Sequence, residues 1–268
     1  MIKPSVLVFA GSDPSGGAGI QADIQSISAM GAHPLSIITA LTVQDNNRVY
    51  AVHPVAASLV QQQALTLFSK IKISAVKIGI VGNRTNAETI AEIVKELRLH
   101  QPELPVVLDP VLASGHGDAL AVENALDTIA PLLSLATLIT PNLPETAALC
   151  GDILQPELQA AALLRRGCQH VLIKGGHSSD AMIVNRWFTQ GDSRTWNWPR
   201  VPGAFHGTGC TLAAAIAALL AKNERGNNMV EAIEAAQEYC RQSLTSSYAI
   251  ADGQRIPNRT ALFFREHA

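Results

Sequence analysis

The chain has 268 residues, 47% hydrophobic and 16% charged, with a formal net charge of −2. That composition supplies a buried core and argues against disorder, and the balanced charge without Lys/Arg runs argues against a nucleic-acid or membrane-surface partner. With aromatic residues at 4%, stacking platforms for bases are not expected.

The opening, Met1 to Ala10, carries one Lys and an apolar stretch too short for a signal-peptide core. Within it Ser5–Ala10 reads as a buried strand that runs into Gly11-Ser12-Asp13. A helix follows over Ile20–Met30 and stops at Gly31, and a second strand spans Leu35–Leu41 before Thr42-Val43-Gln44-Asp45. Helix-period stretches at Ala57–Phe68 and Asn86–Leu97 flank a strand at Ala75–Ile80. Val106–Leu108 leads into Asp109-Pro110, Thr137–Ile139 into Thr140-Pro141-Asn142, and, after a helix at Glu157–Arg166 closed by Gly167, His170–Ile173 into Lys174-Gly175-Gly176. Met182–Phe188 and Thr195–Trp198 form a hairpin at an antiparallel edge, and helices at Thr211–Lys222 and Met229–Thr245 complete the chain. The strands are apolar on both faces and alternate with helices, so the pattern predicts an open, mostly parallel sheet covered on both sides. No linker, repeat or low-complexity segment interrupts it, which predicts one domain over residues 1–268. The longest apolar helix, Leu212–Ala221, is too short to span a bilayer.

In such a sheet ligands bind beyond the carboxyl ends of the strands. Gly11-Ser12-Asp13, Gln44, Asp109, Asn142 with Glu145, and Lys174 all fall there. Each has a plain reading: Asp109 can cap a turn before Pro110, and Asn142-Leu-Pro-Glu145 has capping-box spacing at a helix start, against a functional reading as a Mg²⁺ and water anchor. The loop Gly11 to Gly19 resembles a phosphate-binding loop in spacing but lacks its Lys-[Ser/Thr]. Gly17-Ala18-Gly19-Ile20-Gln21-Ala22 fits a dinucleotide fingerprint, yet starts too far from its strand. The loop is either a flexible turn or a backbone that approaches a small ligand closely. Gly207-Thr208-Gly209-Cys210 opens an Ala-rich helix, an arrangement that points amides and positive potential at an anion. Cys210 at that terminus is expected to have a lowered pKa and to serve as general base; by residue type alone a buried packing thiol is the favoured reading. Cys150, Cys168 and Cys240 read as core residues, and no C-x-x-C pair suggests a metal or a disulfide framework. Lys174 beside two glycines can reach phosphates as a point charge.

Taken together, GSDPSGGAGIQAD (11–23), LTVQD (41–45), VKIGI (76–80), VVLDPV (106–111), TPNLPE (140–145), LIKGGH (172–177) and HGTGCTLAAAIAA (206–218) resemble the hydroxymethylpyrimidine/phosphomethylpyrimidine kinases of thiamine biosynthesis, of the ribokinase-like superfamily. The resemblance runs from about Ser5 to Phe264. It implies a ribokinase-like three-layer α/β/α sandwich, ATP with Mg²⁺ and a homodimer; a cytoplasmic location is expected from the four scattered cysteines and the lack of a secretion or membrane signal. It also implies that Gly11, Ala18, Asp23, Gln44, Ile80 and Val107 line a pyrimidine pocket, Ile80 standing where the family usually has Met. Cys210 would lie near the reacting hydroxymethyl group, Lys174 and the Gly207, Thr208 and Gly209 backbone on the phosphate, and Asp109, Asn142 and Glu145 in the magnesium region. A carboxamide such as Gln44 offers donor and acceptor together, complementary to a ring nitrogen beside an exocyclic amine. The segment 221–227 is atypical and is expected on the nucleotide side. The rival readings are a pyridoxal kinase of the same superfamily, disfavoured by Cys210 where most carry Asp, a kinase of both pyrimidine and pyridoxal, as some members with Cys are, and a non-catalytic pyrimidine-binding protein.

Overall fold

The computed structural model describes residues 2–112, 125–178, 180–222 and 228–261. Its strands are β1 (Ser5–Ser12), β2 (His33–Gln44), β3 (Val49–Pro54), β4 (Ala75–Ile78), β5 (Val106–Leu108), β6 (Leu138–Ile139), β7 (His170–Ile173), β8 (Met182–Thr189) and β9 (Asp192–Pro199). Among the described residues the helices are α1 (Gly19–Ala29), α2 (Ala57–Phe68), α3 (Arg84–His100), α4 (Ala125–Leu133), α5 (Leu143–Cys150), α6 (Pro156–Arg165), α7 (Thr208–Lys222) and α8 (Met229–Thr245). The strands form one sheet in the order β3-β2-β1-β4-β5-β6-β7-β8-β9. From β2 to β7 neighbours run parallel, while β3, β8 and β9 pair antiparallel.

Strand periodicity divides the sheet's side chains between two cores. On one face Leu7, Phe9, Ile78 and Leu108 pack under α2, α3, α4 and α6; on the other Val6, Val8, Val107 and Leu138 pack under α1, α7 and α8. Because α7 is mostly Ala from 213 to 218, and fully buried there, it approaches the sheet closely. Its N-terminus thereby reaches the carboxyl-end rim of the strands. Gly31 and Gly167, with φ of +83° and +101°, end α1 and α6 as the sequence predicts.

The three-layer fold and most elements match expectation, with these differences. β3 and α4 have no counterpart in the sequence reading. β3 is half-exposed, and its short apolar run Val49 to Val52 is cut off by His53-Pro54, while α4 contains Pro131, a residue that ordinarily breaks a helix pattern. The sheet therefore has antiparallel strands at both edges, not one. The expected nucleotide-side loop at 221–227 falls on residues 223–227, outside the described set; Ala221 and Lys222 close α7. No described helix is long and apolar enough to cross a membrane.

Candidate active site

A cleft of about 450 Å³ opens beyond the carboxyl ends of β1, β2, β5 and β7. It brings together Gly11, Ala18, Gln44, Ile80, Asp109, Asn142, Glu145, Lys174 and Gly207 to Cys210, residues that sequence alone scatters over two hundred positions. Two of the expected pocket residues are not on its surface. Asp23 and Val107 are both fully buried, Val107 inside the core and Asp23 against Lys77 at 2.8 Å. Their alternation explains this: Val107 faces the packed layer under α7, and Asp23 lies on the inner side of α1.

One wall is built by backbone. Gly207 has φ +77°, and a Cβ there would strike the Gly17 carbonyl, so the loop from Asp13 to Gly19 lies directly against the start of α7. The amides of Thr208, Gly209 and Cys210 are first-turn groups with no partner inside the helix. The Nζ of Lys174 and the Oδ2 of Asp109 lie 3.2 and 3.5 Å from the place a Gly209 side chain would occupy. Thr211 closes the turn by donating from N and Oγ1 to the Gly207 carbonyl, and the buried Arg259 donates from Nε to Thr211 Oγ1 at 2.9 Å.

The opposite wall is charged. Lys174 Nζ donates to Asp109 Oδ1 at 2.8 Å, and Thr140 Oγ1 donates to the same oxygen at 3.0 Å. Burial alone would push the Asp109 carboxyl up, but the Lys174 and Lys77 ammonium groups hold it below the usual range, so it is ionised. Asn142 and Glu145 form a capping box: Asn142 Oδ1 accepts from Glu145 N at 2.9 Å, and Glu145 Oε2 accepts from Asn142 N at 2.7 Å. The plain capping reading therefore holds, and the same residues line the cleft. Burial pushes the Glu145 carboxyl up to about 7, against the pull of Lys174.

Cys210 departs from expectation. Burial pushes its thiol up to about 11; the Lys77 ammonium and the Gly19 amide only partly oppose this, and the Asp23 and Asp109 carboxylates add to it. The helix terminus is outweighed by desolvation, so the resting group is a thiol and not the predicted thiolate. Cys168 and Cys240 are buried core residues, each with its thiol pushed up to about 12, and Cys150 packs half-buried against the core.

Among the described residues no three His, Cys, Asp or Glu side chains gather as a metal cage. Asp109 and Glu145 flanking Lys174 suit an ion that brings its own phosphate and water ligands, since Mg²⁺ needs only one or two protein carboxylates in such sites. Sequence reasoning missed the Asp13–His206 contact at 2.9 Å, the Lys77–Asp23 pair and Arg259. His206 sits beside Gly207 in the sequence and was the available clue; Lys77 and Arg259 carry no local signal of their placement.

An amide-lined helix start facing a lysine–aspartate pair across the rim of a parallel sheet is the layout of ribokinase-like small-molecule kinases, and the solved structures agree. Pyridoxal kinase from Bacillus subtilis, in an ADP complex, superposes with a TM-score of 0.84 at 28% identity, over 98% of this chain and 100% of that one. Phosphomethylpyrimidine kinase from Clostridium difficile superposes with a TM-score of 0.74 at 31% identity, over 90% and 100%. This protein is a kinase of that class. The family model for phosphomethylpyrimidine kinase matches residues 13–258, and the chain belongs to that family. The hydroxymethylpyrimidine/phosphomethylpyrimidine kinase of Rhizobium meliloti is 41% identical over 260 residues, 92% of this chain and 93% of that protein. Its counterpart in Streptomyces coelicolor is 39% identical over 258 residues, 93% and 92% of the two chains.

Proposed function

We propose that the protein transfers the γ-phosphoryl group of ATP to the hydroxymethyl oxygen of 4-amino-5-hydroxymethyl-2-methylpyrimidine, and then a second phosphoryl group to the monophosphate, for thiamine biosynthesis. The observation that carries the reading is the cleft itself, which gathers Gln44, the α7 amides, Lys174 and Asp109 on one lining. In each transfer the acceptor oxygen bonds to phosphorus, the bond from phosphorus to the ADP oxygen breaks, and the acceptor proton is released.

Gly11, Ala18 and Ile80 wall the pyrimidine end, and Gln44 reads its polar edge. Such transfers depend on positioning and charge stabilisation more than on covalent chemistry. The Gly207–Cys210 amides hold the transferring phosphoryl group, and Lys174 adds a point charge while Asp109 keeps that lysine in place. Mg²⁺, when bound with the nucleotide near Asp109, Asn142 and Glu145, neutralises phosphate charge. Cys210 stands on the acceptor side as the residue that takes the hydroxyl proton in its thiolate form, a minor species at neutral pH because burial pushes the thiol up to about 11. Asp23 acts from beneath, pairing with Lys77 under the thiol.

The proposal treats residues 1–268 as one kinase domain, because a single sheet carries both ends of the cleft. It places the enzyme in the cytoplasm, a reducing compartment that suits its free cysteines. It also makes the enzyme a homodimer, through an exposed apolar face described below. A second reading, pyridoxal phosphorylation, is favoured by one observation: the pyridoxal kinase from Staphylococcus aureus, solved with AMP-PCP and pyridoxal, superposes at a TM-score of 0.82 and 26% identity over 97% of this chain and 95% of that one. Product analysis with Mg·ATP and hydroxymethylpyrimidine, its monophosphate or pyridoxal in parallel decides. Mono- and diphosphate products are expected; pyridoxal phosphate alone would establish the second reading, and no product from any of them would end both.

A further inference from the structure

His206 makes two polar contacts through one atom. Its Nε2 lies 2.9 Å from Asp13 Oδ2 and 3.2 Å from the end of the Gln44 carboxamide. An imidazole nitrogen carries one proton or one lone pair, never both. It cannot accept from Gln44 while donating to Asp13.

Asp13 decides between them. Its carboxylate is almost wholly buried and already accepts two loop amides, Ser15 N on Oδ1 at 2.8 Å and Ala18 N on Oδ2 at 2.7 Å. Burial would push this carboxyl up, but the bonds from His206, Ser15 and Ala18 bring it below the usual range. Asp13 is therefore ionised, and Nε2 of His206 must carry the proton. With the amide nitrogen of Gln44 drawn toward His206, donor would face donor. A half-turn of the carboxamide places Oε1 there instead, and the single Nε2 proton is then shared as a three-centre bond, mainly with Asp13 Oδ2 at 2.9 Å and more weakly with Gln44 Oε1 at 3.2 Å.

The imidazole itself has little freedom. It packs over Gly17, where a Cβ would collide with the ring, and its backbone N donates to the Arg255 carbonyl at 3.0 Å. A small shift of the ring would break the contact with Asp13 or Gln44. The loop from Asp13 to Gly17 is thus tied through His206 to a residue on β2.

We propose that Asp13 and His206 form a positioning pair that holds the Gln44 carboxamide with Oε1 on the imidazole and its amino group presented to the cleft, selecting substrates whose ring offers an unprotonated nitrogen at that edge. The inference rests on the pyrimidine reading above and assigns the orientation that makes Gln44 selective. A free carboxamide would present either end, and would accept an N–H edge as readily as a ring nitrogen. Fixed by His206, it offers only the donor.

Steady-state kinetics with hydroxymethylpyrimidine, on the wild type, H206F, H206Q, Q44L and the H206F/Q44L double variant, test this. H206F keeps the ring volume and removes the donor. It should raise KM about tenfold while kcat at saturation changes by less than about threefold, the pattern of lost binding and not lost chemistry. H206Q returns an N–H to the end of the side chain and should recover most of the loss. On the Q44L background, H206F should add nothing further, because the histidine acts through the glutamine. If H206F lowers thermal stability too far to assay, H206N, which is too short to reach Gln44, takes its place with the same expected KM. An unchanged KM in H206F, or an equal added loss on Q44L, overturns the inference and leaves His206 as a latch for the glycine loop. A wild type that does not phosphorylate the pyrimidine overturns the substrate reading itself, and is seen before any variant is compared.

Discussion

Gln44 and Cys210 both serve the acceptor in the proposed reaction, one in binding and one in chemistry, and the consequences of changing them differ in kind. Q44L leaves the polar edge of the pyrimidine without a partner in a closed site, a loss of about 1–3 kcal/mol. This is about a 5- to 150-fold rise in KM, with a smaller change in kcat, read from initial rates over a range of pyrimidine concentrations. Cys210 is a matter of pH. With its thiol near 11, the thiolate fraction grows about tenfold for each pH unit below that value. If it is the acceptor-side base, kcat rises with pH from 7 toward 10, and Cys210→Ala costs little at neutral pH and progressively more above it. Iodoacetamide should react slowly at pH 7 and faster with each step upward. Parallel pH profiles for the wild type and C210A would remove Cys210 from the chemistry. That these residues share one cleft was legible, because Lys174 follows a strand, Gln44 ends one, and Gly207 to Cys210 open a helix. The ionisation of Cys210 was not, since its burial and the charges of Lys77, Asp23 and Asp109 come from segments far away in sequence.

Elements position these groups, and α5 shows a cost of doing so. Its capping box satisfies the helix start through Glu145 while burying that carboxyl beside Lys174 and Asp109. A carboxyl raised to about 7 in the folded chain, against about 4.3 in the unfolded chain, binds its proton more tightly when folded. The stabilising contribution is therefore full below the unfolded value and is lost as pH rises through 7. Glutamine can occupy the same capping position without ionising. Glu145→Gln should thus unfold at a higher temperature than the wild type at pH 8, with the gap closing toward pH 5. A constant gap across that range would show that Glu145 does not titrate there. The capping spacing itself was readable from Asn142-Leu-Pro-Glu145, and so were α2, α8, β5 and β7 to the residue, because their periodicity is clean. β3 and α4 were not: the apolar run of the half-exposed edge strand is only Val49 to Val52 before His53 and Pro54, and Pro131 masks a helix whose inner face is held by Leu132 and Ile129.

At the scale of the whole molecule, β3 makes the sheet asymmetric. β1 ends at Ser12, paired with Leu41, so β2 runs on from Thr42 to Gln44 with β3 as its strand partner among the described residues and forms an arm beyond β1. The arm's two faces differ, as strand alternation requires. Thr42 and Gln44 turn to the cleft, Thr42 through a bond from Oγ1 to the Ser12 carbonyl at 2.9 Å. Leu41 and Val43 turn away, and each is 52% exposed. Apolar side chains on a projecting sheet edge invite pairing with another chain, and a second copy covering them would form the proposed homodimer. Stable dimers bury about 800 Å² per partner, so the arm must recruit neighbouring surface, and the strand that carries Gln44 would be stiffened by the contact. Assembly and substrate binding are then linked through β2. The double variant L41D/V43D places charge on that face without touching either core. By light scattering coupled to size exclusion the wild type should run as a dimer, and the variant as a monomer at the same concentration. Its melting curve should remain cooperative, and its KM for the pyrimidine should rise because Gln44 sits on a loosened strand. A variant that stays dimeric would move the interface elsewhere on the molecule, and a monomer with an unchanged KM would separate assembly from the site.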